Sequence, residues 1–164
     1  MKEWVEALKE YKVLLGEPEK EELKRISYDS RKAEAGALFL CMKGSKLDSH
    51  DKIPELLEKG VRLFVVEKEL EDLPAELGKT EGLSVIKVEN ARAALARLSA
   101  CYFHYPAKEM LMIGITGTKG KTTTASMVRS ILEEGGYRTG LIGTTGIDYA
   151  GIHEESRNTT PESY

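Results

Sequence analysis

MLMIGITGTKGKTTT, residues Met110 to Thr124, carries an apolar run through a glycine loop straight into residues that open a helix. Leu111, Met112, Ile113 and Ile115 read as a buried strand. Gly117 and Gly120 permit backbone angles that a side chain forbids, and they let main-chain N–H groups approach phosphate oxygens. The helix after Gly120 adds its positive end. Lys121 supplies a mobile cation for the outer phosphates, and the Thr122 hydroxyl is placed to ligate the Mg²⁺ that travels with ATP or GTP. The spacing is shorter than G-x-x-x-x-G-K-[ST]: Ile115 stands where that pattern asks for glycine, which leaves the form G-T-x-G-K-T. Strand, loop and helix in this order belong to an α/β nucleotide domain.

Towards the carboxyl end, Val128, Ile131 and Leu132 form the expected buried stripe of the helix, which Gly135-Gly136 stops. Arg138 to Gly143 reads as the next strand. Thr144 to Asn158 reads as a strand, a turn at Ala150-Gly151 and a returning strand, followed by the loop Asn158-Thr159-Thr160-Pro161. A parallel sheet needs several strands and helices to cover both faces, and only one βαβ unit and a hairpin are legible after residue 109. We therefore expect 109–164 to be an incomplete domain and the chain to be the amino-terminal part of a longer frame. Asp148 is the residual acidic candidate to hold Mg²⁺ opposite Thr122.

Towards the amino end, Asn90 is placed to cap a helix whose face carries Ala91, Ala94, Leu95, Leu98, Cys101, Tyr102 and Tyr105, with Pro106 as its stop. Residues 90–108 are read as a bridge between two domains. The first domain, 1–89, contains strand candidates Ile26 to Tyr28, Ala37 to Met42, Arg62 to Val66 and Ser84 to Val88, with a helix from about Lys52 to Lys59. Residues 67–82 read as a charged connector. Trp4, Val5, Leu8 and Tyr11 recur at helical spacing, predicting an opening helix that runs to Gly16 and Pro18.

Composition bounds the chemistry. With 41% hydrophobic residues and a net charge of −3, lysines and glutamates interspersed, the chain has an ordinary core and no electrostatic footprint for nucleic acid. No apolar run approaches the ~20 residues of a membrane span, and MKEWVEALKEYK lacks the apolar centre of a signal peptide, so a cytoplasmic protein without a membrane partner is expected. Cys41 and Cys101 fall in apolar contexts and read as reduced core residues. His50, His104 and His153 share no ligand spacing and read as capping, packing or surface residues.

The loop Gly117-Thr118-Lys119-Gly120-Lys121-Thr122-Thr123 resembles the ATP loop of the Mur ligases, cytosolic enzymes that extend the peptide of bacterial cell-wall precursors. Folylpolyglutamate synthases share that kind of loop. In the first domain Asp29-Ser30-Arg31, Gly36-Ala37-Leu38-Phe39, Gly44 and Asp48-Ser49-His50 look like the uridine-nucleotide-sugar domain of two members of this family, those that form the tripeptide and the pentapeptide. Thr118 and the string Asn158-Thr159-Thr160-Pro161-Glu162-Ser163 favour the members that add the third residue of the peptide. Lys119 departs from the usual asparagine and Ser49 from a common glycine, and neither change removes a main-chain N–H.

The resemblance implies a small mixed α/β uridine-nucleotide-sugar domain followed by the start of a central ATP-binding domain with a parallel sheet. It implies an ATP-dependent ligase of peptidoglycan precursor synthesis, monomeric, with ATP and Mg²⁺. That ligase would join diaminopimelate or lysine to UDP-MurNAc-L-Ala-D-Glu through an acyl phosphate. The rivals are the family's D-Ala-D-Ala-adding ligase and a non-catalytic nucleotide or UDP-sugar binding module. Gly117, Thr118, Lys119, Gly120, Lys121, Thr122 and Thr123 would hold ATP, with Lys121 on the transferring phosphoryl group and Thr122 on the metal. Tyr28, Ser30, Ser45, Lys46, Leu47, Asn158, Thr159 and Thr160 would meet the uridine substrate. Arg31 would brace its own loop by a salt bridge. The remaining metal ligands, the adenine contacts and the amino-acid pocket would lie further along, so the 164-residue chain by itself is expected to turn over little or nothing.

Overall fold

A computed structural model describes residues 3–44, 47–155 and 163–164. The chain divides into two compact units, 1–106 with 163–164, and 107–162. The class is mixed α/β.

Alternation along short apolar runs builds the first unit. Strands β2 (Ile26–Ser27), β3 (Leu38–Leu40), β4 (Leu63–Val66) and β5 (Ser84–Lys87) pair in parallel, and β1 (Lys12–Leu15) adds antiparallel to β5, giving the order β1-β5-β4-β3-β2. Successive side chains point to opposite faces. Leu38, Leu40, Leu63, Val65 and Ile86 therefore meet Trp4, Val5 and Leu8 of α1 (Glu3–Ala7) and its exit, and Ala91, Ala94, Leu95 and Leu98 of α3 (Ala91–Tyr102). Phe39, Cys41, Phe64, Val66 and Val85 face the other way, onto Ile53, Leu56 and Leu57 of α2 (Ile53–Glu58) and onto Leu73 and Leu77. Phe39 and Phe64 meet edge to face at 6.5 Å. Each layer covers one face of the sheet, which is why the parallel strands read as unbroken apolar runs.

Helix α3 starts where Asn90 predicts: its carboxamide oxygen accepts the Ala93 N–H at 2.9 Å, and the Glu67 carboxylate accepts the Ala91 N–H at 2.8 Å. Asn90→Ala should cost about 1 kcal/mol, read as a lower urea midpoint by the fluorescence of Trp4, the chain's one tryptophan, which packs in the same layer. An unchanged midpoint would assign the capping to Glu67 alone. The apolar face of α3, read from sequence as a bridge, is buried within the first unit.

Four expectations are corrected. The opening helix is short: Lys9 takes a left-handed φ of 65°, and Lys12–Leu15 is strand β1, not a continuation to Gly16. Pairing with β5 satisfies its backbone groups, a non-local gain that helical spacing does not reveal. Residues 111–115 form no strand; Leu111 is 86% exposed, and no described strand pairs with it. A strand exists only through its neighbours, and the second unit's described strands β6 (Gly140–Gly143), β7 (Gly146–Tyr149) and β8 (Ile152–Glu154) pair antiparallel among themselves. The parallel sheet expected there is absent from the described residues. The stripe on α4 (Lys121–Glu134) is likewise not buried; Ile131 is 71% exposed. The turn between β7 and β8 is as read, with Ala150 and Gly151 both at positive φ.

Both cysteines are free, and burial pushes the Cys41 thiol up, so it stays protonated. Among the described residues no helix is long and apolar enough to cross a membrane, and no group of three metal-ligating side chains converges.

Candidate functional site

In the second unit the glycine loop runs into α4 with the geometry an anion needs. Gly120 is the residue preceding the helix, at φ 79° and ψ −5°, and no side chain caps the helix end. The first intrahelical bond is donated by the Thr124 N–H to the Gly120 carbonyl at 2.9 Å, so the N–H groups of Lys121, Thr122 and Thr123 have no partner within the helix. A Cβ at Gly120 would meet nothing within 4 Å, so that glycine is required by its backbone angle and not by crowding.

Lys121 is the first residue of α4, and no acidic residue stands in that first turn. A cation at the positive end of a helix is unfavourable by about 0.3–1 kcal/mol. Its ammonium donates to the Gly117 carbonyl at 2.8 Å, folded back over the loop. Cation, free N–H groups and helix dipole have the same sign, and a bound anion turns all three from cost to gain. The donor set therefore fits a polyphosphate.

The Thr122 hydroxyl meets the Thr144 hydroxyl at 3.2 Å, so a hydroxyl at the end of β6 faces the hydroxyl predicted to ligate metal. The sequence reading missed Thr144, because the contact links two elements 22 residues apart. Hydroxyl oxygens of this kind suit a hard cation such as Mg²⁺. Asp148 is engaged elsewhere: His153 lies at 3.0 Å and Arg129 at 3.4 Å. The His153 bond, with Arg129 nearby, holds that carboxyl below its usual range.

In the first unit the segments that follow β2 and β3 leave the same carboxyl edge of a parallel pair, the edge where open α/β sheets bind ligands. Tyr28 follows β2 directly, Ser30 lies in the crossover toward β3, and Leu47 lies in the turn that follows β3. Asp29 and Arg31 form the expected brace: Arg31 donates from Nε at 2.9 Å and from Nη2 at 2.7 Å, and its main-chain N–H bonds the same carboxylate at 3.0 Å. The guanidinium lowers the Asp29 pKa to about 2. The Ser30 carbonyl accepts from Lys59 at 2.8 Å, which ties the turn to α2. The half-buried Tyr28 packs on the α1/α3 layer and donates its hydroxyl to the Tyr164 carbonyl at 3.5 Å.

After β3 the chain makes a tight hairpin. Lys43 bridges Asp48, and the Gly44 N–H donates to the Leu47 carbonyl at 2.8 Å. Ser45 and Lys46 lie outside the described residues, as do Asn158, Thr159 and Thr160. Leu47 is 74% exposed. The hairpin's return limb carries a cluster that residue typing did not assemble. The His50 ring, 1% exposed, faces the Asp48 carboxylate at 2.5 Å through Nδ1 and accepts the Glu67 N–H at 3.0 Å through Nε2. Lys68 holds the other Asp48 oxygen at 2.8 Å. Burial acts to raise the Asp48 carboxyl, and the Lys68 and His50 bonds outweigh it and hold it well below the carboxylate range.

Comparison with known proteins agrees with both units. Residues 22–103 match the profile described as Mur ligase family, catalytic domain, and residues 115–164 match the Mur ligase middle domain. The chain is similar to the Clostridium botulinum (strain ATCC 19397 / Type A) protein named UDP-N-acetylmuramoyl-L-alanyl-D-glutamate--2,6-diaminopimelate ligase, 43% identical over 145 residues, covering 88% of this chain and 29% of that protein. It is 41% identical over 155 residues to the Clostridium perfringens (strain 13 / Type A) protein of the same name, covering 94% of this chain and 30% of the relative. A solved structure of a ligase of that name matches the fold with a TM-score of 0.56 at 20% identity, over 84% of this chain and 27% of the other. The chain thus spans about 30% of the length of the curated relatives it matches. With an uncapped glycine loop opening α4 on one unit, a mostly parallel sheet on the other and family profiles matching each in order, the chain belongs to the Mur ligase family.

Proposed function

We propose that this chain carries the uridine-substrate edge and the ATP phosphate loop of a ligase that adds diaminopimelate to UDP-MurNAc-L-Ala-D-Glu. The observation that carries this reading is the uncapped start of α4, with Lys121 against its positive end and no acid in its first turn. The names borne by the two clostridial relatives favour diaminopimelate over lysine.

A carboxylate is a poor electrophile, so the reaction needs a leaving group. The substrate's terminal carboxylate attacks the γ-phosphorus of ATP, giving an acyl phosphate and ADP. The amine of the incoming amino acid then attacks the acyl carbon, inorganic phosphate leaves, and the nitrogen loses a proton. Gly117, Thr118, Lys119, Gly120 and Thr123 shape the cradle with main-chain N–H groups, and Lys121 neutralises charge on the transferring group. Thr122, with Thr144 opposite, would hold Mg²⁺, which would supply charge neutralisation when bound. Tyr28, Ser30 and the hairpin Ser45, Lys46 and Leu47 contact the uridine nucleotide, and Asn158, Thr159 and Thr160 meet its sugar or peptide part.

The test is phosphate release by the intact protein with ATP, UDP-MurNAc-L-Ala-D-Glu and each candidate amino acid in turn. Release that depends on diaminopimelate supports the reading. Dependence on lysine, or ATP binding without release under any addition, overturns it in favour of another specificity or a binding module. Ser30→Ala should raise KM for the uridine substrate about 2- to 10-fold, the worth of one hydrogen bond, and leave KM for ATP unchanged. An equal rise in both would make Ser30 a structural residue.

A further inference from the structure

We propose that His50 is a positioning residue for the uridine-nucleotide substrate: its Nδ1–H clasps Asp48 and so fixes the paired segments Lys43–Gly44 and Leu47–Asp48 after β3, from which Leu47 meets the substrate. The inference rests on the function proposed above and names a residue that reading does not use.

The geometry assigns the proton. The Glu67 main-chain nitrogen can only donate, so Nε2 of His50 must accept, and the neutral ring carries its hydrogen on Nδ1, where Asp48 receives it. Asp48 also accepts the main-chain N–H of His50 at 3.0 Å and pairs with Lys68. One carboxylate thus takes three donors from 50 and 68 while its own backbone bridges Lys43 on the outgoing limb. Ser49 closes the base from the other side: its hydroxyl accepts the Met42 N–H at 2.6 Å and donates to the Met42 carbonyl at 2.9 Å. Every one of these contacts lies at the foot of the hairpin. Ordering backbone on binding costs about 1–2 kcal/mol per residue, and a clasp that already holds Leu47 against Gly44 removes that residue's share before the ligand arrives.

Core packing would also explain a buried histidine, and two substitutions separate the roles. His50→Asn keeps an N–H donor where Nδ1 stands and loses the acceptor for Glu67. His50→Gln places its amide oxygen near the Nε2 position, keeps the Glu67 bond and loses the donor to Asp48. The positioning role predicts opposite orders for the two readouts. By titration calorimetry of the intact protein with UDP-MurNAc-L-Ala-D-Glu, His50→Gln should weaken binding roughly tenfold and His50→Asn by less than threefold, with ATP affinity unchanged in both. By thermal melting, His50→Asn should be the less stable of the two, because it strands the Glu67 N–H. Affinity that follows melting temperature in the same order, or a His50→Gln variant that binds like the unsubstituted protein, overturns the proposal. If the unsubstituted protein binds ATP but does not bind the uridine substrate, the proposed function fails first and the role of His50 falls with it.

Discussion

Lys121→Ala should lower the rate of phosphate release by the intact protein at least 10²- to 10³-fold while leaving its melting temperature unchanged or slightly raised. The two readouts move apart because the lysine is badly placed for the apo fold. It is the first residue of α4, at the positive end of the dipole, with no carboxylate in its turn and, among the described residues, only the Gly117 carbonyl for a partner. Alanine removes that repulsion, worth a few tenths of a kcal/mol at an exposed site, and is itself a strong helix former. In the phosphoryl-transfer transition state the same charge is worth far more, since removal of one preorganised donor typically costs 10²–10³ in turnover. Calorimetric melting and the phosphate assay, run on the same preparations, decide it. A variant that loses stability and activity together would make Lys121 a brace of the loop. A variant with unchanged turnover would remove the phosphate cradle from this stretch altogether.

The parts of this fold legible in the sequence are those fixed by neighbours in the chain. Leu38 to Cys41 and Leu63 to Val66 are continuous apolar runs, and they are strands because both faces of their sheet are covered. Asn90 announced its helix through a bond three residues long. The glycine loop and the start of α4 were legible for the same reason: glycines, lysine and helix start lie within seven consecutive residues, Gly117 to Thr123. What depends on distant partners was not. Val13 to Leu15 continue an apolar pattern that helical spacing tolerates, and only β5, some 70 residues on, makes them a strand. Leu111 to Ile115 have a strand's composition and no described neighbour to pair with. The cluster at His50 joins Asp48, Glu67 and Lys68, and inspection of the three histidines for mutual spacing could not assemble it. Asp48 two residues before His50 was the available signal, since an aspartate there readily receives the His50 N–H.

Gly16→Ala should cost about 3–4 kcal/mol, whereas Gly36→Ala, with nearly the same φ, should cost about 1 kcal/mol. Both glycines are left-handed, at φ 74° and 79°, so both variants carry the strain of an L residue in that region, about 1–2 kcal/mol. Part of that is returned by the reduced freedom of the unfolded chain. They differ in what a Cβ meets. At Gly36 nothing lies within 4 Å. At Gly16 the added carbon would stand 2.2 Å from the Leu83 carbonyl oxygen and 2.9 Å from the Ser84 Cα, both backbone atoms at the entry to β5. Neither can rotate away, so β1 must shift off the strand it pairs with, disturbing the Leu15 to Val85 register and the Leu14 and Leu15 contacts with the α2 layer. Urea unfolding of the two variants, followed through Trp4 so that the first unit alone is reported, measures the difference directly. A gap of about 2 kcal/mol or more supports close backbone approach as the reason for glycine at 16. Equal losses would mean that the edge strand yields freely, and that Gly16 is there only for its backbone angle.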